Sequence, residues 1–313
     1  MIVLGGGVSG LTTATVLAEA GHAVEVWAAA LPPNTTSNVA AAFWYPYRAF
    51  PFDRALAWAK VAYAKFVTLC DDPRAGVRMR RAYDYARTPQ PRPWWADAVR
   101  GLTDLPAAEC PPGFSSGWGF DAPVIDTRVY LPYLRARLEA AGGRVIQRRV
   151  TSFADAHGQD IVINCCGLGA RELCDDRSLH PVRGQLVHVD NPGIDQVLLD
   201  EHDGGGIAYV VPRGDHLVLG GTAAEHDHAL EIRPSEADAI VARCAALDPR
   251  LADAARRTDV VGLRPGRAAI RLEGEARGDL WIVHNYGHGG AGVTLSWGCA
   301  AEVLARVAQR LAA

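Results

Sequence analysis

The chain has 313 residues, which at about 150 residues per domain suggests two domains. Hydrophobic residues make up 49% and charged residues 21%, so a packed core can form and wholesale disorder is excluded. Lysine and arginine total 32 against 35 aspartates and glutamates, and the formal charge of −3 leaves no basic field for nucleic acid or an anionic membrane.

In chain order, Met1–Leu4 is a short apolar run, followed by Gly5-Gly6-Gly7-Val8-Ser9-Gly10 and a helical pattern from Leu11 to Glu19. Gly21-His22 stops that helix and Ala23–Trp27 alternates as a strand. Strand, glycine turn, helix and strand in this order form the opening βαβ unit of a dinucleotide-binding fold. Residues 1–18 carry no charge, yet four glycines interrupt them and no basic flank precedes them. Neither an export signal nor a membrane span is expected, and the chain reads as cytosolic.

A loop over Pro32–Asn38 and the segment Ala40–Pro46 lead to helical spacing from Arg54 to Leu69. Between Gly76 and Val124 the composition shifts to proline, tryptophan and short strand-like runs, as expected of an insertion building a second domain. Asp126-Thr127 caps a predicted helix to about Ala141, and a strand is expected over Arg144–Phe153. The unbroken apolar run Ile161–Cys166 suits a strand covered on both faces. Gly184–Val189, Ala208–Pro212 and Leu217–Gly221 read as strands, the last two joined by a hairpin turn at Arg213-Gly214-Asp215-His216. A helix over Ser235–Leu247, strands over Arg264–Leu272 and Leu280–Val283, and a final helix from Val293 to about Leu311 complete the chain.

The dinucleotide-type elements fall at the start, middle and end of the sequence. The expected architecture is therefore α/β, with a discontinuous Rossmann-like domain over 1–47, 125–180 and 256–313. A mixed α+β domain with an antiparallel sheet takes 48–124 and 181–255. The seven cysteines are odd in number and lack C-x-x-C spacing, which favours reduced thiols over disulfides or zinc. His226, Asp227 and His228 are adjacent but lack further partners, so no metal site is expected.

Three clusters point to chemistry. Gly5-x-Gly7-x-x-Gly10 lets a pyrophosphate approach the backbone at a helix N-terminus, where unpaired N–H groups favour negative charge. Ala28-Ala29-Ala30 stands where an acid for ribose hydroxyls is expected, and Glu25 lies too early on its strand. A second glycine turn, Asn285-Tyr286-Gly287-His288-Gly289-Gly290-Ala291-Gly292-Val293-Thr294, also opens a helix. In a flavoprotein such a turn stabilises the isoalloxazine edge that becomes anionic on reduction. Finally, Arg264, Arg267 and Arg271 cluster near one strand, where an arginine fork can grip a carboxylate that Tyr209 would also reach.

Together these motifs resemble the D-amino-acid oxidase family of flavoenzymes over essentially the whole length. The resemblance rests on Gly5–Leu11, Thr35–Pro46, Asn164–Gly167, Arg183–Gln185, Gly262–Pro265 and above all His284–Gly290. It implies non-covalently bound FAD. Gly5, Gly7, Val8, Ser9, Gly10, Thr35, Thr36, Ala41, Ala42 and Val150 would contact its flavin and phosphates. Gly289, Gly290, Gly292, Val293 and Thr294 would approach the isoalloxazine. Arg264 and Tyr209 would hold the substrate carboxylate, and the Gly290 carbonyl would accept from the substrate amine. A lid tyrosine of some relatives has no counterpart in Gly204-Gly205-Gly206, so a shortened or absent lid is expected.

The implied activity is oxidative deamination of neutral or apolar D-amino acids by hydride transfer from Cα to flavin N5. Dioxygen reoxidises the flavin, and the products are a 2-oxo acid, ammonia and hydrogen peroxide. The partners are thus a D-amino acid and dioxygen, without nucleic acid or membrane, and with a homodimer as one option. D-Aspartate oxidase, with Arg267 or Arg271 as a second cation, glycine or sarcosine oxidation, and a catalytically silent nucleotide-binding protein are the alternatives.

Overall fold

The computed structural model describes residues 1–156, 158–202 and 206–312. The chain opens with β1 (Ile2–Leu4), α1 (Val8–Glu19), β2 (Glu25–Ala28), α2 (Thr36–Val39) and α3 (Phe52–Leu69). Next come β3 (Val77–Ala86), β4 (Arg100–Pro106), β5 (Ser116–Ile125), α4 (Thr127–Ala140), β6 (Arg144–Gln147), β7 (Ile161–Asn164) and α5 (Ala170–Leu173). They are followed by β8 (His180–Asp190), β9 (Val197–Asp200), β10 (Ala208–Arg213), β11 (His216–Gly220) and β12 (Ala224–Glu225). The last elements are α6 (Pro234–Leu247), β13 (Arg256–Gly266), β14 (Arg271–Arg277), β15 (Leu280–Tyr286) and α7 (Gly292–Ala312).

Six strands form one sheet in the order β14-β15-β7-β1-β2-β6, parallel except for the β14–β15 hairpin. Val3 of β1 pairs with Val26 on one side and Ile163 on the other. Every residue of β1 and β7 is buried, which explains why both read as continuous rather than alternating apolar runs. Asp126 caps α4, its carboxylate accepting from the Arg128 N–H at 3.1 Å. The predicted strand after α4 is shorter than expected: β6 ends at Gln147, and Val150 lies in the loop beyond it.

The other sheet runs β12-β8-β11-β10-β9-β3-β5-β4, with β13 also paired to β8. It is antiparallel apart from the β3–β9 pair. The proline- and tryptophan-rich stretch folds into β3, β4 and β5, with β3 and β5 in register from Val77–Ile125 to Ala86–Ser116. One side of α6 buries Ala237, Ile240, Cys244 and Leu247 in a cluster with Val187, Val210 and Leu219 of the sheet.

One expected strand is divided between the two sheets. Residues 256–266 form β13, which pairs with β8 along its length, so this segment belongs to the mainly antiparallel sheet. The predicted strand Arg264–Leu272 is in fact the end of β13 and the start of β14, between which the chain passes from one sheet to the other. Helix α3 packs on α7 and also meets β3 and β5 of the mainly antiparallel sheet. All seven cysteines are free. Among the described residues, no helix is long and apolar enough to cross a membrane.

Within the β14–β15 hairpin, Glu275 collects two arginines and a histidine. It accepts from His284 Nε2 at 2.9 Å, from Arg271 Nη2 at 3.0 Å and from the Arg277 guanidinium. Burial alone would raise its pKa, but the hydrogen bonds from Arg277 and His284 bring it down to about 2 from the ordinary 4.5. A carboxylate depressed on folding stabilises above its unfolded value and loses that contribution as pH falls through the folded one. Thermal unfolding followed against pH should therefore show stability falling between about pH 4.5 and about pH 2, with a shallower fall in Glu275→Gln.

Candidate active site

The two sheets meet along a cavity of about 580 Å3, within the size range of cofactor and ligand pockets. One wall is the turn from β1 into α1. Gly7 occupies the helix N-cap and contributes no side chain, and no acidic residue lies in the first turn. The Val8 N–H donates to Ser37 Oγ at 2.9 Å. Gly5, Gly6, Gly7, Val8 and Ser9 line the cavity. Gly10 does not: a Cβ there would stand 1.9 Å from the Gly5 carbonyl oxygen, so its role is to let α1 lie against the turn.

Thr35, Thr36, Ala41 and Ala42 line the cavity from the loop after β2. Thr35 caps α2, its hydroxyl 2.7 Å from Asn38 Oδ1. Buried Arg213 fastens the same loop, donating to the carbonyls of Ala40 and, at 2.9 Å, of Ala41. The Thr294 hydroxyl ties it to α7, accepting from the Tyr45 N–H at 3.1 Å and donating to the Tyr45 carbonyl at 2.9 Å.

At the end expected to hold a ribose, Glu25 is turned elsewhere. It accepts from Trp27 Nε1 at 2.9 Å and from Arg144 Nε at 2.8 Å, and it does not line the cavity. Trp27 does, with the Arg148 guanidinium 4.0 Å from its ring centroid, and Val150 lies close by in the same lining. An aromatic face with a cation over it occupies the region where an acid was expected. Sequence reading missed Trp27 and Arg148 because neither belongs to a dinucleotide motif.

Arg264, Tyr209 and Gly290 come together elsewhere in the same lining. The Arg264 side chain crosses β8 at Gly184, where a Cβ would stand 2.4 Å from Nη1, and Nη1 donates to the Thr222 carbonyl at 2.8 Å. Tyr209 lies over Gly220 and Gly221, its hydroxyl under the influence of the Arg264 charge. Burial raises the Tyr209 phenol above its ordinary value against the pull of Arg264, so it stays a protonated donor at neutral pH. A Cβ on Gly290 would lie 2.7 Å from the Tyr47 ring and 3.6 Å from Arg264 Cδ, which puts its backbone beside both. Gly289, Gly292, Val293 and Thr294 continue the lining into α7.

Arg267 and Arg271 are not part of this lining. Arg267 pairs with Asp176 at 3.0 Å, and Arg271 binds Glu273, Glu275 and the Tyr286 hydroxyl. Glu201, the residue after β9, also lines the cavity. His288 also lines it; burial lowers its pKa to about 4, and its Nε2 lies 3.0 Å from Asn285 Oδ1. His226 groups with His180 and Glu225 rather than with Asp227 and His228. The two imidazoles stack at 4.3 Å, and Glu225 is held by Arg48 at 3.0 Å. The expected change in the lid concerns residues 204–206, of which 204 and 205 lie outside the described residues.

Residues 1–306 match the DAO family, described as FAD dependent oxidoreductase. The chain is 48% identical to a D-amino-acid oxidase of Rubrobacter xylanophilus over 97% of its own length and 94% of the relative's. The chain belongs to the DAO family of FAD-dependent oxidoreductases. A D-amino-acid oxidase of Streptomyces coelicolor is 47% identical, covering 96% of this chain and 94% of that one. The human D-aspartate oxidase is 33% identical, covering 98% and 94%. Among solved structures, glycine oxidase from Geobacillus kaustophilus shares the fold, with a TM-score of 0.82 at 19% identity over 97% of this chain and 94% of that one.

The cofactor of this DAO-family chain is FAD. The residues present fit it. A helix start with glycine at the N-cap and no acid in its first turn suits a diphosphate. Gly5, at φ +113, has no room for a Cβ, which would stand 2.3 Å from the Cys165 carbonyl oxygen, so the turn keeps its backbone bare. One continuous lining runs from Trp27 through this turn to the Gly289–Thr294 turn, giving an extended dinucleotide a path between two helix N-termini.

Proposed function

We propose that the chain is a D-amino-acid oxidase that converts neutral D-amino acids and dioxygen to 2-oxo acids, ammonia and hydrogen peroxide. The observation that carries this reading is the convergence of Arg264, Tyr209 and Gly290 on one stretch of a cavity whose other wall is the α1 cradle. The printed names of the two bacterial relatives agree with it.

Bound FAD would supply the two-electron acceptor for the Cα hydride and the route for those electrons to dioxygen. The chain's own residues do the positioning. Arg264 presents a planar fork that holds the substrate carboxylate in two hydrogen bonds, and the Tyr209 hydroxyl donates a third. The Gly290 carbonyl accepts from the substrate amine. With carboxylate and amine fixed, the hydrogen and the side chain have one place each, so only one enantiomer directs its C–H bond correctly. Apolar walls from Phe43, Leu186, Leu199 and Ile207 suit a neutral side chain. Seven free thiols support a reducing, cytosolic setting.

An acidic side chain fits less well, since neither Arg267 nor Arg271 reaches the cavity and Glu201 does. Peroxide release from a panel of D- and L-amino acids tests the reading. Turnover of neutral D-amino acids is expected; turnover confined to D-aspartate, or FAD binding with no turnover at all, overturns it.

A further inference from the structure

The partners of His226 come from across the fold rather than from its neighbours in sequence. Asp227 is taken up by Arg233 at 2.8 Å and by the Ala229 N–H at 2.9 Å. His180, at the start of β8, and Glu225, at the end of β12, stand beside His226 instead. Each of the three offers one ligand atom, and these atoms lie within 4.8 Å of one another. None of the three residues lines the cavity, so the group is separate from the site described above.

Local backbone geometry brings them to one side. Pairing of β12 with β8 sets Glu225 opposite Val182, and the His226 N–H donates to the Pro181 carbonyl at 2.8 Å. Successive side chains of a strand point to opposite faces. His226 breaks that alternation with a left-handed φ of +61, and both it and Glu225 reach His180.

The donor atoms are also prepared. His180 Nδ1 lies 3.1 Å from the Ser178 carbonyl oxygen, which can only accept. Nδ1 therefore carries the proton, and the neutral ring keeps its lone pair on Nε2. That nitrogen faces Glu225 Oε2 at 3.8 Å, too far for a hydrogen bond. The spacing is close to the distance of about 3.4 Å between two ligands of a tetrahedral zinc ion. Glu225 is held by its other oxygen, since Oε1 accepts from Arg48 Nη1 at 3.0 Å. A carboxylate fixed through one oxygen and open at the other is oriented as metal-binding carboxylates are.

We propose that His180, Glu225 and His226 bind one divalent transition ion, with zinc the best match and water in the remaining position. Two imidazoles and a carboxylate suit zinc, whereas magnesium and calcium take all-oxygen sets. Glu225 and His226 are exposed, so rotation of their side chains closes the ligands on the ion without moving either strand. The ion joins the start of β8 to the end of β12 and, through Arg48, to the loop between α2 and α3.

Calorimetric titration of zinc chloride into the FAD-bound protein, in a buffer that does not chelate, tests the site. One equivalent per chain is expected to bind, and a large excess of magnesium should not displace it. His226→Gly removes the ring and suits the left-handed backbone, and it should weaken zinc binding by at least about tenfold. Glu225→Gln should do the same, while His228→Gln, outside the group, should bind zinc as the wild type does. Flavin absorbance read on the same samples reports that each variant is folded. Absence of saturable zinc binding, displacement by magnesium, or wild-type affinity in either His226→Gly or Glu225→Gln overturns the proposal.

Discussion

Arg264→Ala should lower kcat/KM for D-amino acids by roughly two to three orders of magnitude, with the loss falling mainly on KM. Truncating one partner of a hydrogen-bonded charge pair costs about 2–5 kcal/mol, and each 1.4 kcal/mol is about tenfold. The flavin absorbance of the variant should persist, because Arg264 is proposed to hold the substrate and the α1 cradle is untouched. Gly184→Ala should produce a milder form of the same defect by a different route. Its Cβ would stand between 2.4 and 2.6 Å from three guanidinium atoms, so Arg264 must move while its charge is retained. Steady-state kinetics on both variants check this. A KM near the wild-type value in Arg264→Ala would show that the carboxylate binds elsewhere.

Gly10→Ala should have the largest effect on cofactor binding. The added methyl would lie 1.9 Å from the Gly5 carbonyl oxygen, and backbone on both sides leaves little room for adjustment. Either α1 lifts away from β1 or the Gly5–Ser9 turn opens, and each disturbs the surface that faces the diphosphate. A loss of several kcal/mol is expected, at the upper end for overpacked sites. It should appear as a lower unfolding temperature and as protein purified largely without flavin. Retention of flavin at wild-type stoichiometry would contradict the packing role given to Gly10.

The parts of the fold that were legible in the sequence are those where local chemistry and tertiary demand coincide. The Gly5–Gly10 turn, the doubly covered β7 run and the Asp126 cap each have a single physical reading at short range. The passage of β13 into the mainly antiparallel sheet was not legible. Nothing in Arg256–Gly266 distinguishes a strand of one sheet from a strand of the other, and its pairing with β8 is set by residues about 75 positions upstream. The packing of α3 on α7 was hidden for a similar reason: helical spacing shows that a face is buried but not against what.

At the site, Arg264 was separated from Arg267 and Arg271 only by the family resemblance, since the sequence alone offers all three as candidates. Glu201 was not singled out, since Asp200-Glu201-His202 before a run of glycines reads as a solvated turn. Only the fold brings Tyr45 and Asp84, from two distant segments, against that carboxylate. Trp27 and Arg148 were hidden in the same way, for their stacking spans β2 and the loop after β6.

The most direct measurement is anaerobic mixing of the FAD-bound protein with the two enantiomers of one neutral amino acid, followed by the flavin absorbance. The geometry of Arg264, Tyr209 and Gly290 predicts rapid bleaching by D-alanine and none by L-alanine. Bleaching by L-alanine, or by both enantiomers at similar rates, would contradict it.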